Sequence, residues 1–315
     1  MDKLIVTAAP HIHENVSTRK LMGKVCIALL PALVASCFIF GIDALFLTAV
    51  SAAACVGFEA LWNIMMKKEQ TIGDLSAVVT GMLVAFNVPA GFPVWMLIIG
   101  DLIAIVIVKQ LFGGIGYNFA NPAIVARIVL ALSFTGEMTT YRFPAAKIDA
   151  LASATPLAAQ MYSTPVTELL LGTHGGVLGE TCAIALLLGG LYLILSGTIS
   201  AMIPVSSLAT VAVMCLVCGR GDDILLHLLG GGLLLGVFFM ATDYVTSPYT
   251  QWGKLVYGIG IGVITSLIRF YGTATEGMSY AILLMNIVTP YINRGIRQRP
   301  LGVKRQRRKK EGKPA

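Results

Sequence analysis

The chain has 315 residues, of which 56% are hydrophobic and 12% are charged, and its mean hydropathy is +0.80. Soluble domains carry about 25% charged residues, so this chain lacks the polar surface that a globule needs in water. The composition excludes an ordinary soluble protein and predicts an all-α integral membrane protein with the bilayer as its solvent.

The net charge is +7, and ten of the 23 Lys and Arg residues follow Tyr291. They belong to a short basic tail, residues 293–315, with no surrounding fold that could read nucleic acid. Basic residues next to membrane spans favour the cytoplasmic side and attract anionic lipid. The tail therefore predicts a cytoplasmic anchor on the lipid bilayer and no nucleic-acid partner.

The N-terminal segment, residues 1–24, is polar, and the first apolar run begins near Val25. No small-residue cleavage site follows that run. We therefore interpret the segment as cytoplasmic and the run as a membrane span, not as a signal peptide.

Ten apolar segments follow one another along the chain, and we predict that each is a membrane-spanning helix. Several are shorter than the ~20 residues that a perpendicular helix needs to cross the hydrocarbon. The segments are Val25–Phe40, Leu45–Met66, Leu75–Phe86, Val94–Val108, Ala120–Phe134, Thr181–Leu195, Ala201–Val217, Ile224–Met240, Leu255–Ile268 and Met278–Ile292.

The distribution of basic residues predicts the orientation of these spans. With the N-terminus inside, the cytoplasmic side receives eight basic residues besides the tail, and the outside receives four. This asymmetry places both termini in the cytoplasm. The inside residues are Lys3, Arg19, Lys20, Lys24, Lys67, Lys68, Lys109 and Lys254, and the outside residues are Arg142, Lys147, Arg220 and Arg269.

The two halves of the chain share short patterns at offsets of 157 to 159 residues. Phe112 and Gly114 recur as Phe270 and Gly272, and Trp95 recurs as Trp252. Five spans in each half would reverse the second copy in the bilayer, which gives an inverted repeat. We predict two inverted five-helix repeats, residues 25–134 and 181–292, with coincidental matching as the alternative.

Two segments rich in helix breakers occupy equivalent positions in the two halves, residues 86–93 and 241–248. Broken helices at equivalent places in inverted repeats mark a central binding site in many transporters. We expect these segments to line a pocket for a ligand or ion. The alternative is that they are ordinary re-entrant or connecting loops.

The longest polar stretch, residues 135–180, is predicted to be an extracytoplasmic loop. The hydroxyl of Ser153 or Thr155 could carry a phosphoester there. Asp149 could position the reactants or a metal during attachment, and the small Ala154 would let a phosphate approach. A turn or helix cap is the alternative for these residues.

Asp149, Ser153, Ala154, Thr155 and Leu157 match a motif of a known family. The N-terminal Ala9-Pro10-His11 and the run Gly114–Ala123 match other signatures of the same family. The chain resembles the D subunit of the Rnf electron-transport complex and, more distantly, the B subunit of the sodium-translocating NADH:quinone reductase.

The resemblance implies that FMN is esterified through its phosphate to Thr155, with Ser153, Ala154, Asp149 and Leu157 around the attachment point. It implies electron transfer between ferredoxin and NAD, coupled to Na⁺ or H⁺ movement. It also implies a second, noncovalent flavin (riboflavin), the other Rnf subunits as partners, and a flavin transferase that uses FAD as donor. The location implied is the cytoplasmic membrane of a bacterium or archaeon, with the flavin loop extracytoplasmic.

Three ionisable residues fall in or beside predicted spans: Asp101, Arg127 and Asp243. Ionisable groups at membrane depth are costly and are functional candidates by default. We predict that they serve an ion or second-flavin pathway, with mutual structural pairing as the alternative. We predict that Asn118 and Asn121 satisfy helix-end backbone groups.

Two other functions fit parts of the sequence. A secondary transporter or channel for a small solute would also use inverted repeats. A structural membrane scaffold would keep the spans without Thr155. Packing explains Cys215 and Cys218 better than a metal or redox site, because one such pair supplies only half of a tetrahedral site.

Overall fold

The computed structural model describes residues 17–141, 165–172, 174–180, 182–272 and 277–296. Over these ranges the chain is helical and contains no β-strand beyond isolated bridges. The prediction of an all-α protein is confirmed for this part of the chain. The helices are α1 (Thr18–Phe40), α2 (Ile42–Met65), α3 (Ser76–Phe86), α4 (Val94–Leu102), α5 (Pro122–Ser133), α6 (Thr135–Met138), α7 (Val166–Leu171), α8 (Ala183–Leu195), α9 (Met202–Val217), α10 (Ile224–Leu229), α11 (Leu233–Leu235), α12 (Gln251–Tyr271) and α13 (Gly277–Gly295).

Among the described residues, α1, α2 and α12 are long and apolar enough to cross a membrane. A fourth crossing is present if α10, α11 and the turns around them count as one bent span. The protein is therefore a multi-pass membrane protein. Four shorter apolar helices, α3, α5, α8 and α9, lie between these spans in the chain. Each of the ten predicted apolar segments coincides largely with helix, whereas the number of crossings stays a prediction.

The predicted eighth span, Ile224–Met240, was wrong as one continuous helix. The helix ends at Leu229 and resumes at Leu233, and the two parts are bent by 60°. Gly231 and Gly232 have φ of 72° and 66°, a left-handed conformation that favours glycine. Three consecutive glycines therefore break the span within its apolar run.

Two helices widen into π-helix, a feature that was not predicted from the sequence. Ile103–Gln110 continues α4, and Gly236–Met240 continues α11. The Leu111 N–H donates to Val106 O at 3.0 Å and the Ala241 N–H donates to Gly236 O at 2.7 Å, five residues back in both cases. Short π-helical segments often occur at functional sites.

Helices α1 and α8 pack side by side and run in opposite directions. Lys24 Nζ, near the start of α1, donates to Ser196 O just after α8, at 3.3 Å. Ser36, near the end of α1, hydrogen-bonds to Leu178 O just before α8. Between these ends, a Cβ on Gly189 would collide with the Ala28 carbonyl oxygen. The two backbones are therefore in contact where the first helices of the two halves meet.

Helices α9 and α12 pack through small residues. A Cβ on Gly262 would lie 2.6 Å from Thr210 Cβ and 2.9 Å from Ser207 O, and one on Gly258 would collide with Ser206. The Gly-x-x-x-Gly spacing places both glycines on one face of α12. Because lipid tails are as apolar as the helix surfaces, the hydrophobic effect does not drive the two helices together. The close approach of their backbones stabilises the pair through van der Waals contact.

The segment 174–180, which is part of the predicted extracytoplasmic loop, is buried, and its side of the membrane stays a prediction. The Leu178 N–H donates to Val88 O at 3.0 Å, and the Gly179 N–H donates to Phe86 O at 2.9 Å. Gly179 leaves no room for a Cβ against Phe86. The broken chain after α3 thus finds its hydrogen-bond partners in this segment, which is how irregular backbone survives inside a membrane protein.

Replacing Gly262 by Val should destabilise the protein by about 1–3 kcal/mol, because the branched side chain must displace α9. Gly57→Val, in α2, is the matched control, since nothing lies within 4 Å of a Cβ there. Thermal unfolding in detergent measures both. Equal unfolding midpoints for the two variants would contradict the packing described for α9 and α12.

Candidate functional site

The predicted flavin attachment site, Asp149, Ser153, Ala154, Thr155 and Leu157, lies outside the described residues. The described chain stops at residue 141 and resumes at residue 165. Esterification of Thr155 and the roles of its four neighbours therefore stay predictions.

Arg127 lies on α5 and is 5% exposed. Its Nη1 donates to Asn87 Oδ1 at 2.7 Å, and Asn87 Nδ2 donates to Leu83 O at 2.6 Å. A Cβ on Gly232 would lie 3.2 Å from Arg127 Nη1 and 3.6 Å from Glu180 Oε2. Arg127 thus reaches the break after α3, the break between α10 and α11, and the buried segment that ends at Glu180.

A second arginine binds backbone carbonyl groups at the break between α10 and α11. Arg269, on α12, donates from Nη1 to His227 O at 2.5 Å and from Nη2 to Gly230 O at 3.0 Å and Gly231 O at 2.8 Å. These carbonyls have no helical partner, because α10 ends at Leu229. A planar guanidinium with several donors can satisfy such diverging carbonyls at once.

Asn121 joins the two halves of the protein. Its Oδ1 accepts from the N–H groups of Ala123 and Ile124 at 3.0 and 3.4 Å, which caps α5. Its Nδ2 donates to Met240 O at 3.1 Å, at the end of the second π-helix. The prediction that Asn121 satisfies a helix end is confirmed. Asn118 differs, because its buried Oδ1 has no hydrogen-bond partner in the described structure.

A cavity of about 350 Å³ lies between the two halves. Apolar side chains of α1, α3, α8 and the second π-helix form most of its wall. Its polar lining includes Ser76, Lys109, Asn118, Asn121 and Asp243.

The two predicted broken segments behave differently. Residues 242–245 line the cavity, as expected for the second segment. Residues 86–93 do not line it; they contact the segment 177–179 and Arg127 instead. Asp243 Oδ1 accepts from the Val245 N–H at 3.4 Å and its Oδ2 accepts from Thr246 Oγ1 at 3.3 Å, so part of its role is to stabilise a turn.

A buried ion pair between Glu59 and Lys109 borders the cavity, and it was not predicted from the sequence. Lys109 Nζ contacts the two Glu59 carboxylate oxygens at 2.9 and 3.0 Å, and both residues are at most 2% exposed. Lys109 also donates to Ser76 Oγ at 2.6 Å. Thr71 Oγ1 and Gln110 Nε2 donate to Glu59 Oε1 at 2.7 and 3.0 Å. The assignment of Lys109 to the cytoplasmic side stays a prediction, and its charge is neutralised within the protein.

The π-helix explains how Lys109 and Gln110 both reach Glu59. Successive residues of an α-helix point in directions about 100° apart and cannot share one small partner easily. The wider π turn brings the two side chains closer in direction. The available signal was the spacing of Ser51, Cys55 and Glu59 on α2, which places three polar side chains on one face of an otherwise apolar helix.

Asp101 lies on α4 and is fully buried. Ser51 Oγ lies 2.7 Å from Asp101 Oδ1, and Cys55 Sγ lies 3.4 Å from the same oxygen. Asp101 Oδ2 has no hydrogen-bond partner among the described residues. The hydrogen bonds of Asp101, Arg127 and Asp243 lead to different residues, so the structure does not bring these three predicted candidates together as a single group.

The amino-acid sequence matches that of a known protein family. The model of the NQR2, RnfD, RnfE family matches residues 5–302. The chain belongs to this family.

Individual relatives cover nearly the whole chain. The chain is 47% identical to the D subunit of the Na⁺-translocating ferredoxin:NAD⁺ oxidoreductase complex of Acetobacterium woodii, over 95% of this chain and 96% of the relative. It is 39% identical to the D subunit of the proton-translocating ferredoxin:NAD⁺ oxidoreductase complex of Clostridium ljungdahlii, again over 95% and 96%. It is 35% identical to the D subunit of the ion-translocating oxidoreductase complex of Stutzerimonas stutzeri, over 95% and 94%. The resemblance to D subunits stated from the sequence is confirmed.

The buried ion pair gives a test of the site's electrostatics. Glu59→Gln should destabilise the protein by about 3–5 kcal/mol, because it leaves the Lys109 charge buried without its carboxylate. The double variant Glu59→Gln/Lys109→Met should recover most of this loss, since it removes both charges. Chemical unfolding in detergent measures both variants. A double variant as unstable as Glu59→Gln alone would show that the pairing does not govern stability here.

Proposed function

We propose that this protein is the flavin-carrying membrane subunit of an ion-translocating ferredoxin:NAD oxidoreductase complex of the Rnf type. The observation that carries the proposal is the match to two ferredoxin:NAD⁺ oxidoreductase D subunits along 95% of the chain. The other Rnf subunits are its partners. They supply the sites for NAD and ferredoxin.

In the proposed attachment, the Thr155 hydroxyl oxygen forms a bond to the flavin phosphate. With FAD as donor, the pyrophosphate bond breaks, AMP leaves, and the hydroxyl proton is released. A dedicated flavin transferase catalyses this step. The bound FMN would supply electron transfer in one-electron and two-electron steps, while the protein sets its position and surroundings.

The cavity between the halves is the proposed site of the second, noncovalent flavin. Its apolar wall suits a flat aromatic ring system, and a few polar side chains at the rim would orient it. The unpartnered Asn118 Oδ1 is an acceptor for a ring or ribityl donor. Asp243 offers a further acceptor on the same wall, whereas the three donors of Lys109 are taken by Glu59 and Ser76.

The proposed topology has ten crossings in two inverted five-helix repeats. The spacing of the helices supports it, because α11 begins 157 residues after α3, at Leu233 and Ser76, and α12 begins 157 residues after α4, at Gln251 and Val94. The antiparallel contact of α1 with α8 is the arrangement that inversion requires of equivalent helices.

The proposed orientation has both termini in the cytoplasm and the flavin loop outside. Lys109 is buried in an ion pair, and Arg269 binds the carbonyls of a broken helix, so neither reports on sidedness. Without them, the basic residues outside the tail still number seven inside and three outside. The remaining basic residues therefore still favour a cytoplasmic location of both termini.

The proposed coupling ion is Na⁺ or H⁺, since two of the three relatives described above are named for the ion that they translocate, one for Na⁺ and one for protons. Asp101, Arg127 and Asp243 are the proposed members of the ion or second-flavin pathway. Arg127 and Asp243 contribute through the broken helices and the cavity wall, whereas Asp101 does not line the cavity and contacts Ser51 of α2.

Thr155→Ala should abolish covalent flavin, whereas Ser153→Ala should retain it. The denatured wild-type protein should give a fluorescent band under ultraviolet light and a peptide carrying the mass of FMN. The host must contain the flavin transferase. Native protein whose Thr155 peptide is unmodified would overturn the redox function in favour of solute transport.

Asn118→Leu should weaken noncovalent flavin binding about tenfold, because it replaces one hydrogen bond in the cavity by an apolar group. Covalent flavin should be unchanged. Asn293→Leu is the matched control, since Asn293 also has a buried, unpartnered Oδ1 but does not line the cavity. Acid extraction of the purified protein, followed by chromatography of the released flavin, measures occupancy. Equal losses in the two variants would contradict a site in this cavity.

A further inference from the structure

We propose that Asp101 is a proton-binding site within the first half of the protein, and that Ser51 changes its hydrogen-bond acceptor when this proton binds or leaves. The role of this site in ion translocation rests on the proposed function. The protonation itself rests only on the geometry of the side chains described below.

The Ser51 hydroxyl has only one hydrogen for its two hydrogen-bond contacts, and this restricts the protonation state of Asp101. Its Oγ lies 2.7 Å from Asp101 Oδ1 and 2.8 Å from Gly81 O, and both distances are those of hydrogen bonds. A serine hydroxyl has one hydrogen, and neither a carbonyl nor an ionised carboxylate can donate. With Asp101 ionised, only one of these two contacts is a hydrogen bond.

A proton on Asp101 Oδ1 satisfies both contacts. The carboxyl group then donates to Ser51 Oγ, and the Ser51 hydroxyl donates to Gly81 O. Loss of the proton turns the Ser51 hydroxyl toward the carboxylate and leaves the second lone pair of Gly81 O without its donor. Protonation of Asp101 and the direction of the Ser51 hydroxyl are therefore linked.

The second oxygen of Asp101 favours the neutral form. Asp101 is fully buried, and its Oδ2 has no donor among the described residues. The free energy of burying an oxygen without a hydrogen-bond donor is far lower for the carbonyl of a neutral acid than for an ionised carboxylate. Cys55 Sγ, at 3.4 Å from Oδ1, is a weak donor and cannot replace a cation.

The charges on the elements packed around α4 do not offset an ionised Asp101. Helix α3 contains no ionisable side chain, and α5 contains Arg127, whose guanidinium binds Asn87. On α2 and the π-helix, Glu59 and Lys109 neutralise each other in a buried pair. Cys55 is the remaining ionisable group that contacts Asp101, and its ionised form would add negative charge.

The same distances argue against a metal cation at this position. Ser51 Oγ lies at hydrogen-bond distance from both Asp101 Oδ1 and Gly81 O, which leaves no space for an ion between them. A proton is the ion that fits.

Infrared spectroscopy of the complex in membranes tests the proposal. At about pH 7, where a solvated carboxyl group is ionised, the wild-type protein should show the C=O stretch of a protonated carboxylic acid. The band should shift with ¹³C-labelled aspartate and be lost completely in Asp101→Asn. It should persist in Asp243→Asn and in the matched control Glu59→Gln/Lys109→Met, which removes both charges of the neighbouring pair and leaves no unpaired cation.

Ser51→Ala should move the same band to higher frequency, because the acid loses its hydrogen-bond acceptor. A merely structural role of Ser51 would leave the frequency unchanged. If Asp101→Asn fails to assemble, the ¹³C shift in the wild-type protein combined with the Ser51→Ala shift identifies the group. Absence of a protonated aspartate band, or its loss in Asp243→Asn instead, overturns the proposal. Covalent flavin, read from the fluorescence of the same samples, reports separately on the proposed function.

Discussion

The structure depends on one constraint, which is that backbone polar groups inside a bilayer must find partners within the protein. The helices meet it by themselves, but the chain breaks after Phe86 and again at Gly230–Gly232. The first break is satisfied by the buried segment 177–179 and by Arg127 through Asn87. The second is satisfied by Arg269, which binds three carbonyl groups. The positions of Arg127 and Arg269 are thus explained by the loss of helical hydrogen bonds near them.

These breaks also explain where the cavity lies. A continuous helix presents side chains at regular intervals and packs without a large gap, whereas a broken one leaves space where its direction changes. The chain after the second π-helix lines the cavity with Thr242, Asp243 and Tyr244, and the start of α5 contributes Asn121. Asn121 also donates to Met240 O, so the opening of α5 in one half is tied to the end of the π-helix in the other. The polar groups that hydrogen-bond to the ends of the helices therefore lie next to those that line the cavity.

The sequence predicts much of this architecture because segments that cross lipid must be apolar, whereas segments in water are polar. Apolar runs located ten helical segments, and the positions of Asp101 and Arg127 within helices followed from the same runs. The second break was harder to predict than the first, because Gly230–Gly232 interrupts an apolar run without any polar residue. The sequence places Lys109 directly after a predicted span and does not reveal its carboxylate partner, because Glu59 is distant in sequence and lies inside α2. Pairing across helices cannot be inferred from one sequence in which neither residue has a local partner. The attachment motif around Thr155 is a different case, because its meaning comes from resemblance and not from packing.

The π-helical segment Ile103–Gln110 has a consequence for how this chain tolerates insertion and deletion. A π turn is in effect an α-helix that has accommodated one additional residue. Removal of one residue from the wide turn would restore ordinary helix and leave the chain on either side of it in nearly the same direction. Lys109 and Gln110 would then point about 100° apart around the helix axis, and only one of them could reach Glu59. The length of this segment is as much a determinant of the cavity wall as the identity of its side chains.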